Sequence, residues 1–303
     1  MMTTFYSNGK LLITGEYLVL KGAKAFALPT RFGQSLNVFP LQTPVISWKS
    51  YDEDGTIWYN DSFSIDDIVL KKHMPDQEFR NTLIDILYEA HRMNTHVLKQ
   101  QSGFLVETSL TFPKKWGLGT SSTLINNIAQ WFEIDAFELL KKSFGGSGYD
   151  IACAQNNKAV IYQTLSGKPQ VTPLDFHPVF AEHIYFVYLN KKRNSREAIR
   201  NFELKADYSA EILKQVSEIT EQIPTITDFG QFKRMMQQHE AILSSVLQVS
   251  TIQKELFFDF EGVVKSLGAW GGDFVMVLSD KDPEEYFKQK GFSVILKYNE
   301  MIL

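Results

Sequence analysis

A run of glycines and hydroxyl residues in the middle of the chain has the composition of a phosphate-binding loop. Residues 117–122 read Gly-Leu-Gly-Thr-Ser-Ser, and an apolar pattern with helical spacing begins directly afterwards. Glycines let the backbone approach an anion, and a helix N-terminus presents unpaired N–H groups with a partial positive charge. The hydroxyl groups are further ligands for phosphate oxygens or Mg²⁺. The alternative is structural, a glycine turn followed by a Ser or Thr helix cap.

Three other segments carry charged groups beside chain breaks. Asp150 follows a loop with glycines at 145, 146 and 148, which indicates unusual backbone or a close approach. Lys10 stands at the start of a short apolar run, and residues 191–195 read Lys-Lys-Arg-Asn-Ser. Each feature also has a purely structural explanation. Asp150 can be an ordinary turn residue, Lys10 a solvated lysine at a strand edge, and residues 191–195 a solvated basic surface. A phosphorylated ligand would instead be bound well by the basic segment.

The elements that must position these groups alternate between strand and helix patterns. Residues 104–112 predict a strand entering the glycine loop, and apolar residues from Leu124 to Phe132 predict a helix leaving it. Lys10 to Leu20 predicts two short strands around Gly15 and Glu16, and Asp-Gly at 54–55 predicts a hairpin turn. Further helices are predicted at 79–98, 135–143, 196–204, 210–222, 229–247 and 283–290, and further strands at 25–39, 44–58, 159–162, 183–189, 263–267, 274–278 and 292–297.

Composition excludes several classes of protein. The chain has 303 residues, 44% of them hydrophobic and 22% charged, as in a soluble globular enzyme. A net charge of −4 argues against a general nucleic-acid binder. The single cysteine, Cys153, excludes an intrachain disulfide and a cysteine-rich zinc site. No signal-peptide pattern or membrane-spanning run is present, so we expect a cytoplasmic protein with no membrane partner.

Three segments in order along the chain resemble the motifs of the GHMP kinases, the galactokinase, homoserine, mevalonate and phosphomevalonate kinase superfamily. Residues 113–122 are similar to the central Gly-Leu-Gly-Ser-Ser motif, with Thr120 in place of the first Ser. Residues 9–17 are similar to the first motif, with Asn8 where Pro is common. Residues 265–272 are similar to the third, from which Leu267 and Trp270 depart.

The resemblance implies an α+β fold with two domains. We expect an N-terminal domain, residues 1–168, that holds the nucleotide loop, and a C-terminal domain, residues 169–303, that resembles a ferredoxin-like sandwich. The breaker-rich segment 166–173 is the predicted boundary. The implied activity is ATP- and Mg²⁺-dependent phosphoryl transfer to a small molecule, and we expect a monomer or a homodimer.

The resemblance also assigns roles to residues. Asp150 would activate the acceptor oxygen in a Gly-Ser-Gly-x-Asp segment, and Lys10 would stabilise the transferred group. Mg²⁺ would be held by Ser121 and Glu138. The nucleotide would be bound by Lys114, Gly117, Leu118, Gly119, Thr120, Ser121, Ser122, Gly268, Gly271 and Gly272, and the acceptor by Glu16, Tyr17, Lys192, Arg193 and Ser195.

The acceptor is predicted from finer features of the same motifs. Gly-Glu-Tyr at 15–17, the segment 114–119 and Gly-Gly-Asp at 271–273 are closer to phosphomevalonate kinases than to mevalonate kinases. The basic segment 191–193 would suit an acceptor that already carries phosphate. Phosphomevalonate is therefore the predicted acceptor, and mevalonate is the alternative. A regulator that kept the fold but lost activity is a further alternative, although it would be expected to lack Asp150 or Lys10.

Overall fold

The computed structural model describes residues 2–98, 103–191 and 195–303, with the side chains of Ser195, Arg196 and Lys205 outside that description. The strands are β1 (Thr3–Thr14), β2 (Ala25–Leu41), β3 (Val45–Tyr51), β4 (Ile57–Ser64), β5 (Gly103–Leu110), β6 (Ala159–Leu165), β7 (Lys168–Leu174), β8 (Ile184–Tyr188), β9 (Val263–Ser266), β10 (Phe274–Leu278) and β11 (Ile295–Lys297). The helices are α1 (Ile65–Val69), α2 (Glu78–Met93), α3 (Thr120–Phe132), α4 (Ala136–Ser143), α5 (Tyr149–Gln155), α6 (Ser195–Lys205), α7 (Ala210–Gln222), α8 (Phe229–Leu247), α9 (Ile252–Leu256), α10 (Glu284–Gln289) and α11 (Tyr298–Met301).

The chain divides into two compact units, each made of discontinuous segments. The first unit comprises residues 1–9, 32–114 and 118–155, and the second comprises 10–31, 115–117 and 156–303. The predicted boundary at 166–173 does not coincide with this division, because the segment forms the turn and second strand of a hairpin. β6 and β7 pair antiparallel along their whole length. Ser166 and Gly167, both with positive φ, form the turn, so the breakers mark a hairpin.

The first unit packs helices on a sheet with the order β4-β3-β5-β2. β3 and β5 are parallel, whereas β4 pairs with β3 and β2 with β5 antiparallel. On α3, Ile125, Ile128 and Phe132 repeat at helical spacing and are wholly buried in the core between helices and sheet. Burial of this apolar face holds α3, and with it the glycine loop at its N-terminus, against the sheet.

The second unit contains a four-stranded antiparallel sheet with the order β11-β8-β10-β9. Along the chain β8 is followed by helices, then by the adjacent strands β9 and β10, then by α10 and β11. This β-α-β-β-α-β arrangement is the ferredoxin-like one, as predicted. The first part of β2 pairs with β6 in the same unit, and β7 pairs with β6.

Two predicted elements are wrong. Residues after Thr14 do not form a second strand, because Gly15 (φ 86°) and Tyr17 (φ 60°) turn the chain into a short 3₁₀ helix at Leu18–Lys21. The helix predicted to reach residue 98 ends at Met93. The helix ends there because the backbone of Asn94 is extended (φ −143°, ψ 99°), and the Asn94 side chain donates a 2.8 Å hydrogen bond to the Phe132 carbonyl. No helix in the described parts of the chain is both long and apolar enough to cross a bilayer.

Candidate active site

The start of α3 in the first unit has the geometry of an anion-binding helix N-terminus. Gly119 is the N-cap residue, in the left-handed conformation with φ 97°, and no side chain caps the helix. The first-turn N–H groups therefore lack the side-chain acceptor that Ser, Thr or Asp supplies at most helix starts. Ser121 is exposed beside them. These groups fit a phosphate, and glycine is required at 119 because an L-residue is strained at this φ.

Other side chains of this segment are hydrogen-bonded or buried within the protein. The Ser122 hydroxyl donates to the Gly119 carbonyl at 2.8 Å, and the Thr123 hydroxyl donates to Gln34 Oε1 at 2.8 Å. Leu118 is wholly buried. Ser121 is thus the hydroxyl suited to a ligand, whereas the predicted nucleotide-binding roles of Ser122 and Leu118 do not fit their side chains. Those side chains hold the loop's shape.

Lys114 of the first unit lies against an aromatic ring. Its Nζ is 3.9 Å from the centre of the Trp58 ring, a cation–π distance. Its backbone N–H donates to Asp52 Oδ1 at 2.8 Å, which joins the hairpin turn at 52–55 to the segment that precedes the glycine loop. The ring and the turn therefore fix the position of this predicted nucleotide-binding lysine.

Asp150 lies in the first turn of α5 and is half-buried. Its helix is anchored by the buried residues 151–154 and by a 3.0 Å hydrogen bond from Gln155 Nε2 to Asn126 Oδ1 on α3. The glycines at 145, 146 and 148 all have positive φ, as the sequence predicted for an unusual loop. Asp150 thus stands on a short helix tied to the helix that carries the glycine loop.

Glu138 lies in the first turn of α4 and is exposed. An acid at this position also stabilises the helix dipole, which is a structural reason for its presence. Among the described residues, no group of three or more His, Cys, Asp or Glu side chains is arranged to hold a metal ion. Mg²⁺ sites in nucleotide enzymes need only one or two protein ligands besides phosphate oxygens, and Ser121 and Glu138 are of the right type.

In the second unit, Lys10 and Asp273 both lie against Gly117. Lys10 Nζ donates to the Gly117 carbonyl at 3.3 Å. A Cβ added at Gly117, where φ is 69°, would lie 2.3 Å from Asp273 Cγ, so only glycine fits beside this carboxylate. The Asp273 backbone is fixed by bonds with Leu189 (2.8 Å) and Lys191 (2.6 Å). The predicted catalytic lysine is therefore held next to the nucleotide motif.

Glu16 is wholly buried in an ion pair. Its Oε1 accepts a 2.6 Å hydrogen bond from Lys265 Nζ, and both side chains are 0% exposed. Burial raises the pKa of Glu16 to about 7, although the Lys265 charge opposes this shift. The prediction that Glu16 binds substrate does not fit, because a carboxylate without exposed surface cannot contact a ligand. Glu16 instead ties the first motif to the strand that enters the third.

His239 on α8 completes this buried cluster. Its Nε2 accepts a 3.0 Å hydrogen bond from the Gly15 N–H and lies 3.4 Å from Glu16 Oε2. The imidazole is therefore neutral, with Nε2 unprotonated and the proton on Nδ1. Burial, together with the Lys265 charge, holds the His239 pKa well below its usual value of 6.5. Sequence patterns did not reveal this role, because His239 and Glu16 are 223 positions apart and a lone histidine on a helix carries no signal.

We expect His239 to make stability depend on pH. Because its folded-state pKa is lowered, its contribution is fully present above pH 6.5 and is lost as pH falls towards the folded value. His239→Gln keeps an acceptor for Gly15 but cannot titrate. The unfolding free energy of the wild type minus that of this variant, from urea titrations, should fall as pH drops below 6.5. A pH-independent difference would contradict this role. Glu16 has a raised pKa, so its contribution to stability changes with pH in the opposite direction. It is present in both proteins, and the difference between their unfolding free energies therefore reports on His239.

The third motif forms a tight loop between β9 and β10. Gly268, Trp270 and Gly271 have φ values of 58°, 50° and 72°. Nothing lies within 4 Å of a Cβ built on Gly268, so space remains on that side of the loop. Tyr17 faces a cavity of the second unit that is also lined by Trp270 and Gly271. The predicted residues Lys192 and Arg193 lie outside the described residues, as does the side chain of Ser195.

No model of a known protein family matches the sequence, and neither does any curated protein. Solved structures do match. Mevalonate kinase from Methanococcus jannaschii gives a TM-score of 0.67 at 15% identity, covering 96% of this chain and 95% of that one. Phosphomevalonate kinase from Streptococcus pneumoniae, in complex with phosphomevalonate and AMPPNP, gives 0.68 at 15%, covering 97% and 99%. Galactokinase from Lactococcus lactis, complexed with galactose, gives 0.66 at 14%, covering 95% and 88%. The chain has the GHMP kinase fold.

Within this GHMP kinase fold, the structure groups the predicted site residues by unit. The start of α3, Asp150, Glu138 and Lys114 belong to the first unit, and Lys10, Gly117, Tyr17 and the loop 268–273 belong to the second. In the sequence, Asp273 is only the last residue of Gly-Gly-Asp at 271–273. Its place against Gly117 is set by tertiary contacts, and the one sequence signal was its position directly after Gly271 and Gly272.

Proposed function

We propose that this protein is an ATP-dependent kinase of a small molecule. The observation that carries the proposal is the uncapped, glycine-bounded start of α3, which lies in a chain whose whole length has the GHMP kinase fold. A helix N-terminus alone would fit any anion. The similar structures include three kinds of kinase, of mevalonate, phosphomevalonate and galactose, so the shared chemistry rather than one substrate supports the proposal.

ATP supplies the phosphoryl group when bound, and the protein's own residues align and neutralise it. Phosphoryl transfer needs little covalent help from an enzyme, but it needs positioning and stabilisation of charge on the phosphoryl oxygens. The first-turn N–H groups of α3 and the Ser121 hydroxyl would bind phosphate oxygens. Lys10, held on the Gly117 carbonyl, would place a positive charge near them. Asp150 would accept or orient the proton of the attacking oxygen. Ser121 and Glu138 would hold Mg²⁺.

For the acceptor, the motifs support phosphomevalonate first and mevalonate second. Both kinds of kinase are among the similar structures, one of them holding phosphomevalonate. An inactive regulator is disfavoured because Asp150 and Lys10 are both present. We also propose that the protein is cytoplasmic and that it is a monomer or a homodimer. An assay coupled to ADP release, across mevalonate, phosphomevalonate, homoserine and galactose, tests it, and the absence of turnover with all four would reject this acceptor set.

Nucleotide binding is tested separately through Gly119. We expect Mg·ATP to bind the wild type in calorimetry, and Gly119→Val to abolish this binding because the branched side chain blocks phosphate from the backbone. Gly291→Val is the matched control, since Gly291 has a similar φ of 88° and lies at the end of α10 in the second unit. Both substitutions place a β-branched residue at a similar positive φ. Equal loss of ATP binding in the two variants, or none in either, would contradict a nucleotide site at Gly119.

A further inference from the structure

A cavity of about 470 Å³ lies wholly within the second unit. Its wall includes the aromatic residues Tyr17, Phe202 and Trp270, together with Ser266 and Gly271. The volume is in the range of small-molecule sites, which combine apolar walls with a few polar groups. Tyr17 is the last residue of the first motif, and Trp270 and Gly271 belong to the third. The cavity is therefore built from segments that the sequence connects with the reaction.

Trp270 is the unusual residue in this wall. It departs from the motif that its segment resembles, and it adopts φ 50°, which strains a bulky residue. Its side chain is only 7% exposed and packs in a cluster with Tyr17 and Phe202. Tyr17 has φ 60° as well. Two aromatic residues are thus held in a conformation that favours glycine, and both of them line the same cavity.

One residue of the cavity wall has a buried polar atom that is not hydrogen-bonded. Among the described residues, the Trp270 indole nitrogen has no hydrogen-bond partner, although the residue is only 7% exposed. A buried donor without a partner lowers stability, so this tryptophan is not explained by packing alone. The carboxylates of Glu197 and Glu255 are exposed on the same wall, where they can accept a hydrogen bond from a hydroxyl group and repel an anionic group.

The loop that forms this wall also reaches the nucleotide motif. Asp273, three residues after Trp270, lies against Gly117. Three residues span at most about 11 Å, so the cavity wall at Trp270 lies close to the point where the loop meets Gly117. Lys10 bonds to the carbonyl of the same glycine. A molecule in the cavity would therefore lie near the group that is proposed to stabilise the transferred phosphoryl.

We propose that this cavity binds the acceptor of the phosphoryl transfer and that Trp270 determines which acceptor fits. The acceptor would be an oxygen-bearing small molecule with an apolar face for the aromatic rings. This inference rests on the proposed kinase function. Trp270 acts by bounding the space, because its large side chain fills room that a smaller residue would leave open.

The test compares Trp270→Ala and Trp270→Phe with Trp131→Phe, a change in a buried tryptophan of the first-unit core. With whichever of mevalonate, phosphomevalonate, homoserine or galactose is turned over, Trp270→Ala should raise the acceptor KM about tenfold or more, since pocket contacts discriminate to this extent. The KM for ATP should stay within about twofold of the wild type. Trp270→Phe, which keeps the ring, should raise the acceptor KM less, and Trp131→Phe should leave both constants unchanged.

Tryptophan fluorescence without nucleotide separates this inference from the kinase proposal. The same four compounds are titrated, and the one bound should change the emission of the wild type and of Trp131→Phe but not of Trp270→Phe. An acceptor KM unchanged in Trp270→Ala, or a fluorescence response that persists in Trp270→Phe, would overturn the inference even if the enzyme is a kinase. If the protein does not bind ATP, the kinase function is rejected. The fluorescence titration would still test whether the cavity binds one of the four compounds. No response to any of the four compounds would also overturn it.

Discussion

Asp150→Asn is expected to lower kcat by at least ~10²-fold, the lower end of what a positioned base contributes. Asparagine keeps the shape and one acceptor oxygen but removes the charge and the basicity. ATP affinity should change little, because the start of α3 is untouched. Lys10→Met should also lower kcat. The double variant should lose less than the product of the two single effects, because groups that act on one transition state are commonly non-additive.

Asp228→Asn is the control for this change. Asp228 also lies at a helix start, where its side chain accepts a 2.6 Å hydrogen bond from the Gln231 N–H. Asparagine caps a helix about as well as aspartate, so this control should leave kcat and stability close to the wild type. If Asp150→Asn keeps near-normal turnover with the true acceptor, Asp150 only stabilises the start of α5. The assignment of a catalytic role then fails, although the fold would stand.

Lys265→Met is expected to lower the free energy of unfolding by about 3–5 kcal/mol, as removing one partner of a buried ion pair usually does. Lys265 is 0% exposed and is bonded to Glu16 at 2.6 Å and to the Ser266 carbonyl at 2.8 Å. Its loss would leave Glu16 buried without a counter-charge, so its carboxyl group must either stay ionised at a high cost or take up a proton. Glu240, 4% exposed, would lose a nearby positive charge too. Urea unfolding followed by circular dichroism measures the change.

Two further variants make this result specific. Lys290→Met removes an exposed lysine paired with Asp259 in the same unit, and it should change stability little. Adding Glu16→Gln to Lys265→Met removes the uncompensated charge and should restore part of the lost stability. A cost for Lys265→Met no larger than that for Lys290→Met would show that the buried pair does not hold the two motifs together.

The helices, strands and turns could be predicted from the sequence, because they depend on interactions between residues that are close along the chain. The bounds predicted for α7 and α8, residues 210–222 and 229–247, agree with the structure because apolar spacing and caps act within a few turns. The hairpin at 51–57 follows from Asp-Gly at 54–55. Glycine tolerates positive φ, and the glycines of the predicted loop at 117 and 119 adopt it.

Contacts between distant segments were decided only by the tertiary structure. Glu16 and Lys265 are 249 positions apart, and neither carries a local sign that it will be buried. Ser121 and Ser122 are neighbours of the same type, yet one is exposed and the other bonds back to Gly119. Helix and strand patterns come from interactions a few residues apart, which a sequence displays. Burial and pairing depend on which faces meet after folding, so the buried pair, the Asp273 contact and the cavity at Trp270 required the folded chain.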